Sequence, residues 1–418
     1  MSDVGVDHEM QALARLASQA SRSLRLLPGM QKNACLQAFG SALLQSADAI
    51  LKAARDDAAH ARAHGAPTHV VQAIALSRID IEAKARLAAT LAGLPDPVGK
   101  VESTWIRPNG LKIEKTRVPL GVVAVLAEFD AGAVIDAVLL CIKAGDAVVV
   151  FAGPMVYRTC RAVAQALSTA PLPGQMTLPP VHFVLGHDRE ARQALLCQRG
   201  LVDVAIPVGS ASWVDETVQE ARVPVLGQTC HRRHLYIDEE AEVSMAVAIV
   251  RDLATADPAG DGPDTILIHR AIAARVLPEI VDGFLERGVR LAVDPDVSRL
   301  LADLQIAAPA TAPAADAAVC IALVDGVDAA AAVIAEHGPG YSDGVVTNDR
   351  ATATRFAAQV DSACIYLNAS TRFTDGGQFG MGAQVTINTG RLHARGPLGI
   401  DELTTCRYLV TGKGQVLG

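Results

Sequence analysis

The sequence predicts an α/β protein with two parallel β-sheets, each covered by helices. Short apolar segments alternate with helical segments from Gly121 onwards, which is typical of parallel strands that are buried on both faces. A second series of the same kind begins near His234. The chain has 418 residues, which is more than one hydrophobic core usually supports, so we expect two or three domains.

The first part of the chain, from Met10 to about Leu94, is predicted to form a helical layer that packs on a sheet. Apolar residues at three- and four-residue spacing predict the buried stripe of one helix: Leu36, Phe39, Leu43, Ala47 and Ile50. Pro67 and Thr68 then offer the start of another helix.

A turn followed by an exposed strand is predicted at residues 105–119, because polar and apolar residues alternate around Pro108-Asn109-Gly110. The segments predicted as strands of the first sheet are 121–127, 146–151, 181–185, 202–207 and 223–226. Those of the second unit, which begins at 234–238, are 265–269, 290–293, 319–324, 344–347 and 364–368. The alanine- and proline-rich stretch 307–318 is predicted to be a loop.

Composition excludes several classes of protein. The net charge of −8 argues against nucleic acid as a main partner. No apolar run reaches the roughly 18 residues that a membrane span requires, and the polar N-terminus does not resemble a signal peptide. The eight cysteines show neither CxxC pairs nor metal-ligand spacing with histidine, so we expect reduced thiols, no metal site and a cytoplasmic location.

The segment 368–398 is rich in glycine and polar residues and follows an apolar strand, which indicates a functional loop. Its motifs NASTRFTDGGQFG and LHARGP resemble the C-terminal signature of the gamma-glutamyl phosphate reductase family. The motifs RVPLGVVAVL, DAVLLCIKAGDAVVV and HLYID extend the resemblance over nearly the whole chain. This family, also called glutamate-5-semialdehyde dehydrogenase, is an NADPH-dependent branch of the aldehyde dehydrogenase superfamily.

The resemblance implies an aldehyde-dehydrogenase-like fold with a β-hairpin oligomerisation element. It implies a cofactor-type domain at 1–103 and 120–231, a catalytic-type domain at 232–370, and an oligomerisation segment at 104–119 and 371–418. It also implies a homo-oligomer, NADPH as cofactor, and the reduction of L-glutamyl 5-phosphate to L-glutamate 5-semialdehyde in proline synthesis. In that reaction a cysteine thiolate forms a covalent intermediate.

The positions that carry this chemistry in the family differ here. Where the family motif is QRPxxCNxxETLLV, this chain has TADPAGDGPDTILI, so Gly260 occupies the position at which the nucleophilic cysteine is expected. EARPN becomes EFDAG at 128–132, and RGGKE becomes FAGPM at 151–155. IPRGG becomes IPVGS at 206–210, and GGIGVCH becomes QTCHRRH at 228–234. These changes predict a catalytically inactive or impaired paralogue with a scaffold or regulatory role, partnered with an active reductase or with glutamate 5-kinase.

Two alternatives stay open. An active reductase would use a displaced nucleophile, for which Cys230 beside His231 is the candidate. An anion or nucleotide sensor would use the Gly209-Ser210 turn, which precedes a predicted helix and could hold a pyrophosphate, together with the polar residues of the C-terminal signature. Those residues are candidates either for binding an anion or for structural hydrogen bonds: Asn368, Ser370, Thr371, Arg372, Asp375, His393 and Arg395.

Overall fold

The structure is a computed structural model that describes residues 3–172, 174, 176–227, 232–253, 264–306, 318–337 and 340–417. The chain divides into two compact units. Unit 1 comprises Met1–Gly227, Gly380–Thr386 and Pro397–Gly418, and unit 2 comprises Gln228–Phe379 and Ile387–Gly396. Among the described helices, none combines the length and the apolar character that crossing a membrane requires.

The first half of the chain contains nine helices and six strands among its described residues. They are α1 (Asp3–Leu24), α2 (Gly29–Gln45), α3 (Ala47–Ala63), α4 (Thr68–Ile74), α5 (Arg78–Gly93), β1 (Val101–Ile106), β2 (Lys112–Pro119), β3 (Val122–Ala127), α6 (Ala131–Ala144), β4 (Ala147–Ala152), α7 (Tyr157–Ser168), β5 (Val181–Phe183), α8 (Arg189–Leu196), β6 (Val204–Val208) and α9 (Ala211–Glu220).

The second half follows the same alternation. Its elements are β7 (Arg233–Ile237), α10 (Val243–Leu253), β8 (Asp264–His269), α11 (Arg270–Leu285), β9 (Leu291–Val293), α12 (Pro295–Asp303), β10 (Val319–Val324), α13 (Val327–His337), β11 (Ser342–Val346), α14 (Arg350–Gln359), β12 (Cys364–Leu367), a short 3-10 helix (Thr371–Phe373), β13 (Ile387–Asn388), β14 (Gly396–Pro397) and β15 (Thr404–Thr411).

The predicted fold class is confirmed, since both large sheets are parallel. Unit 1 has the strand order β5-β4-β3-β6, and unit 2 has the order β12-β11-β7-β8-β10-β9. Every residue of β3 and β4 is buried, as expected for central strands with helices on both faces. The predicted loop at 307–318 lies outside the described residues except for its last residue.

Two details of the prediction were wrong. The segment 223–226 forms a single bridge, from Val225 to Ala205, instead of a strand. Pro224 explains this, because it has no N–H to donate to a ladder. The apolar stripe predicted for one helix runs across α2 and α3, which are separated by Ser46, although all five of its residues are buried.

A three-stranded antiparallel sheet in unit 1 has the order β1-β2-β15. The β1–β2 hairpin agrees with the prediction, whereas β15 was not predicted from the sequence. Arg117 joins β2 to the residues around the start of β15, because its guanidinium donates to the carbonyl of Asp401 at 2.7 Å and to the Thr404 hydroxyl at 3.0 Å.

Asp146, a fully buried carboxyl group between α6 and β4, fixes the start of β3. Its Oδ1 accepts a 2.7 Å hydrogen bond from the N–H of Gly121, while Asp203 accepts one of 2.8 Å from Val122. Burial raises the pKa of Asp146 well above its usual range, against the opposing effect of the Gly121 N–H, and the charge of Asp203 adds to the rise. Gly121 adopts a φ of 130°, and a Cβ there would lie 2.1 Å from the Asp203 carboxylate, so glycine is required.

We predict that Asp146→Asn stabilises unit 1 at pH 8 relative to the unsubstituted protein. A group whose pKa is raised by folding contributes stability below its unfolded pKa, and this stability is lost as the pH rises towards the folded pKa. The free energy of unfolding of the variant minus that of the wild type should therefore grow by about 1.4 kcal/mol per pH unit between the unfolded and the folded pKa of Asp146. Urea unfolding followed by tryptophan fluorescence measures it, because both tryptophans, Trp105 and Trp213, belong to unit 1.

Asp48→Asn provides the control, since the side chain of Asp48 is 92% exposed. A pH-independent difference between Asp146→Asn and wild type would contradict the prediction.

Candidate functional site

The predicted cofactor turn of unit 1 lies between β6 and α9. β6 ends at Val208, Gly209 follows, and Ser210 is the N-cap of α9. The Ser210 hydroxyl accepts a 3.3 Å hydrogen bond from the N–H of Trp213, which is the usual capping arrangement for serine. The turn therefore has the strand–glycine–helix geometry that the sequence indicated.

Glu128 binds this turn, a contact that sequence reasoning did not find. Its Oε2 accepts hydrogen bonds from the backbone N–H of Ser210 at 2.7 Å and from the Ser210 hydroxyl at 2.8 Å. Glu128 follows β3 directly, and its own N–H donates to the carbonyl of Val208 at 2.9 Å. The only available signal was an acidic residue immediately after a strand, and it becomes informative only once β3 and β6 are known to be neighbours.

Asn368 extends the pairing of β12 with β11 in unit 2. Its backbone adopts a φ of 56°, and its N–H donates to the carbonyl of Val345 at 2.9 Å. Its side-chain amide then accepts from the N–H of Thr347 and donates to the carbonyl of the same residue, both at 2.9 Å. Asn368 thus acts within this unit as a structural hydrogen-bonding residue.

Ser370 and Arg372 bind Asp252, near the end of α10. The Ser370 hydroxyl donates to Asp252 Oδ2 at 2.6 Å, and Arg372 Nη1 donates to Oδ1 at 2.8 Å. Arg372 also donates to the Asp252 carbonyl at 3.0 Å. Thr371 lies between them in the 3-10 helix and is buried. The donors that the sequence offered for an anion therefore engage a carboxylate of the chain itself.

The remaining residues of the signature lie farther along the same loop. Asp375 accepts from the N–H groups of Gly377 and Gln378 at 2.8 and 3.0 Å, which closes a turn. Arg395 donates to Asp361 Oδ1 at 2.7 Å and to its carbonyl at 2.7 Å. The guanidinium groups of Arg395 and then Arg391 hold the pKa of Asp361 below its usual range. His393 is exposed.

A buried polar network crosses the middle of the unit 2 sheet. His234 Nδ1 lies 2.7 Å from Asp343 Oδ1, which also accepts from the backbone N–H of His234 at 2.9 Å. The Ser362 hydroxyl donates to the other oxygen of Asp343. The serine donates to the carboxylate and not to the imidazole, so this arrangement does not activate the serine as a nucleophile. It cross-links β7, β11 and the residues before β12.

Arg233 and Asp264, the first residues of β7 and β8, form a bidentate pair with distances of 2.9 and 2.7 Å. Burial raises the pKa of Asp264, and the charge of Arg233 opposes that rise. Gly260 and Cys230, the predicted nucleophile position and its substitute, lie outside the described residues. Within the part of the chain that the structure describes, no cluster of three or more histidine, cysteine or acidic residues could hold a metal ion.

Comparison with known proteins agrees with the resemblance seen in the sequence. Residues 4–289 match the model of the aldehyde dehydrogenase family. The gamma-glutamyl phosphate reductase of Symbiobacterium thermophilum is 39% identical over 426 aligned positions, covering 98% of this chain and 100% of the relative. That of Rhodopseudomonas palustris is also 39% identical, covering 97% of this chain and 95% of the relative.

A solved structure is similar over the same extent. The crystal structure of gamma-glutamyl phosphate reductase from Thermotoga maritima has a TM-score of 0.89 and 30% identity, covering 98% of this chain and 100% of that one. An acetylating aldehyde dehydrogenase from Geobacillus thermoglucosidasius, with a TM-score of 0.68 and 14% identity, shares the fold. The chain belongs to the aldehyde dehydrogenase family, as a member of its gamma-glutamyl phosphate reductase branch.

Proposed function

We propose that this chain is a gamma-glutamyl phosphate reductase paralogue that has lost the reductase reaction and serves as a structural or regulatory subunit. The observation that carries the proposal is Gly260 in the sequence, because glycine has no side chain to form the covalent intermediate. The reaction lost would be the NADPH-dependent reduction of L-glutamyl 5-phosphate in proline synthesis. The proposal assigns the protein to the cytoplasm.

The thiols of the described residues support this proposal, because few are suited to replace a missing nucleophile. Burial raises the pKa of Cys35 to about 12 and raises that of Cys141 and Cys160 as well. It also raises the pKa of Cys320 and Cys364. A thiol with a raised pKa carries little thiolate at neutral pH and is a poor nucleophile.

The candidate anion-binding residues of unit 2 also support the proposed loss of the reductase reaction. A reductase must hold the phosphate and carboxylate of its substrate with basic and hydroxyl groups. Here Ser370 and Arg372 bind Asp252, and Arg395 binds Asp361. A substrate anion would have to displace these carboxylates before it reached the same donors.

We predict no turnover in the reverse reaction with glutamate semialdehyde, phosphate and NADP⁺, followed by the absorbance of NADPH. Removing members of a covalent catalytic unit in proteases leaves only about 10³–10⁴-fold acceleration over water, which this assay would not detect above background. Cys230→Ser is assayed in parallel, and an active member of the branch serves as the positive control.

Turnover by a well-folded wild-type protein would refute the loss of activity. If that turnover disappeared in Cys230→Ser, the nucleophile would have moved to Cys230. If it persisted, a different group would be responsible.

The sensor alternative makes a separate prediction. A ligand that binds only the folded state raises the melting temperature. Because Asp252 and Asp361 already engage the candidate donors, we expect phosphate and L-glutamate to leave the melting temperature of the wild type unchanged at millimolar concentration. A concentration-dependent rise that is lost in Arg372→Gln and retained in Arg107→Gln would favour the sensor.

Oligomerisation is the remaining part of the proposal, and the antiparallel sheet supports it. Ile106, Tyr408 and Val410 on its two outer strands are 73%, 62% and 52% exposed. Trp105 packs against Tyr408 edge to face, with ring centroids 6.1 Å apart. Exposed apolar side chains on outer strands are typical of surfaces that pair with another chain. We infer that residues 104–119 and 371–418 contribute the subunit contact, with a second copy, an active reductase or glutamate 5-kinase as partner.

We predict that Val410→Lys reduces the oligomer, because a charge on an edge strand opposes pairing. Light scattering after size exclusion would then show the 43.6 kDa monomer. Leu26→Lys is the control, since Leu26 is 78% exposed and lies outside residues 104–119 and 371–418. A wild type that is already monomeric, or a Val410→Lys variant that elutes like wild type, would contradict the prediction.

A further inference from the structure

Two histidines lie close together at the end of α3 in unit 1. His60 lies in the last turn of this helix, and His64 is its C-cap residue. Residues four positions apart lie above one another on the same face of a helix. The two imidazole rings are accordingly close, with ring centroids 4.1 Å apart and ring planes tilted by 39°. Both side chains are exposed, so ions in solution can reach the pair.

A hydrogen bond determines which nitrogen of His64 carries the proton. Its Nδ1 lies 2.8 Å from the carbonyl oxygen of His60. A carbonyl oxygen can only accept, so Nδ1 is the donor, and in the neutral ring Nε2 then keeps its lone pair. Histidines that bind metals are commonly held in this way, because one ring N–H bonded to a backbone carbonyl leaves the other nitrogen for the ion. His64 therefore has the tautomer and the anchoring of a metal ligand.

The other ring nitrogens of the pair are not engaged by the protein. Among the residues that the structure describes, no hydrogen bond or ion pair involves His64 Nε2 or either ring nitrogen of His60. The carboxylate of Asp57, one turn before His60, is bound to α7, where it accepts from the N–H and the hydroxyl of Thr159, both at 2.8 Å. One unprotonated nitrogen of each neutral ring is thus available to a ligand.

The end of α3 holds the two rings in place. Ala58 and Ala61 bury one side of the helix, and the N–H of Ala66 donates to the carbonyl of Ala61 at 3.0 Å. Gly65 adopts a φ of 77°, the left-handed conformation that commonly closes a helix. A cation at this position is also favoured by the helix dipole, whose C-terminal end is negative.

The chemistry of the pair suits a divalent transition metal, because imidazole is a ligand for zinc, copper and nickel. Zinc binds histidine nitrogens at about 2.0–2.1 Å, so two such ligands of one tetrahedral ion are about 3.4 Å apart. Rings whose centroids are 4.1 Å apart reach this separation through a small rotation of the side chains. Two histidines four positions apart on a helix are also the zinc-binding pair of a known motif.

We propose that His60 and His64 chelate a divalent transition metal ion such as Zn²⁺ on the surface of unit 1. The pair supplies two ligands, and water would fill the remaining positions. The expectation that the chain has no metal site came from its cysteines, which this pair does not involve. The site is also independent of the proposed loss of the reductase reaction, since neither histidine belongs to the segments that carry that chemistry in the family.

Isothermal titration of the untagged full chain with ZnCl₂, after treatment with a chelator, tests this proposal. We expect the wild type to bind one equivalent of Zn²⁺ that His60→Ala and His64→Ala either lose or bind at least ~10-fold more weakly. Because one ion needs both rings, the double variant should lose no more than either single variant. ZnCl₂ should also raise the melting temperature of the wild type more than that of either variant. His69→Ala is the matched control, since His69 is exposed on the next helix.

Identical titrations of the wild type and both single variants would overturn the proposal. A loss confined to one of the two variants would also overturn it, because a chelate needs both rings. An equal loss in His69→Ala would show that exposed histidines bind zinc without a defined site. If an alanine variant does not fold, His60→Gln and His64→Gln decide in the same way, since they keep a polar side chain without an imidazole. Turnover in the reductase assay would refute the proposed function and leave this result unchanged.

Discussion

The parallel register of β3 between β4 and β6 is the constraint on which unit 1 depends. It aligns Ala127 with Val208 and Ala152, so that three strands end at one level. Whatever side chains follow these strands then share a small region of the sheet edge. The chemistry of that edge is decided by the first one or two residues after each strand, and substitution there leaves the buried ladder intact. Fold and site can therefore change independently in this architecture.

Carboxylates of the chain meet the N-termini of the helices at this edge. Asp130 caps α6 through the N–H of Ala133 at 2.9 Å, and the buried Asp57 accepts from the N–H of Thr159 in the first turn of α7 at 2.8 Å. In unit 2, carboxylates bind side chains instead of helix N-termini. Asp252 accepts from Arg372, and Asp361 accepts from Arg395, both arginines of the C-terminal signature. These arginines of the C-terminal signature thus serve the internal structure of unit 2.

The sequence predicted what depends on local pattern. Buried strands such as 122–127 were recognisable because their apolar runs end at turn residues, and the turn at Gly209-Ser210 was located correctly. The partners of these residues were not predictable, because the contacts are remote in sequence: Glu128 and Ser210 are separated by 82 positions, and Asp252 and Ser370 by 118. β15 was missed for a related reason, since its exposed side chains lack the alternation of a half-buried strand and its partner β2 is far away in the chain.

There is a physical reason why carboxylates of the chain itself bind these donors. Donors arranged for a ligand have no protein partner until the ligand binds, so a binding site generally lowers the stability of the empty fold. Once binding is no longer selected, an acidic side chain within reach of such donors stabilises the fold by satisfying them. Asp252, which accepts from Ser370 and Arg372, satisfies two such donors in unit 2. The proposed loss of the reaction, which rests on Gly260, would leave the buried framework intact and these donors of unit 2 satisfied by the chain itself.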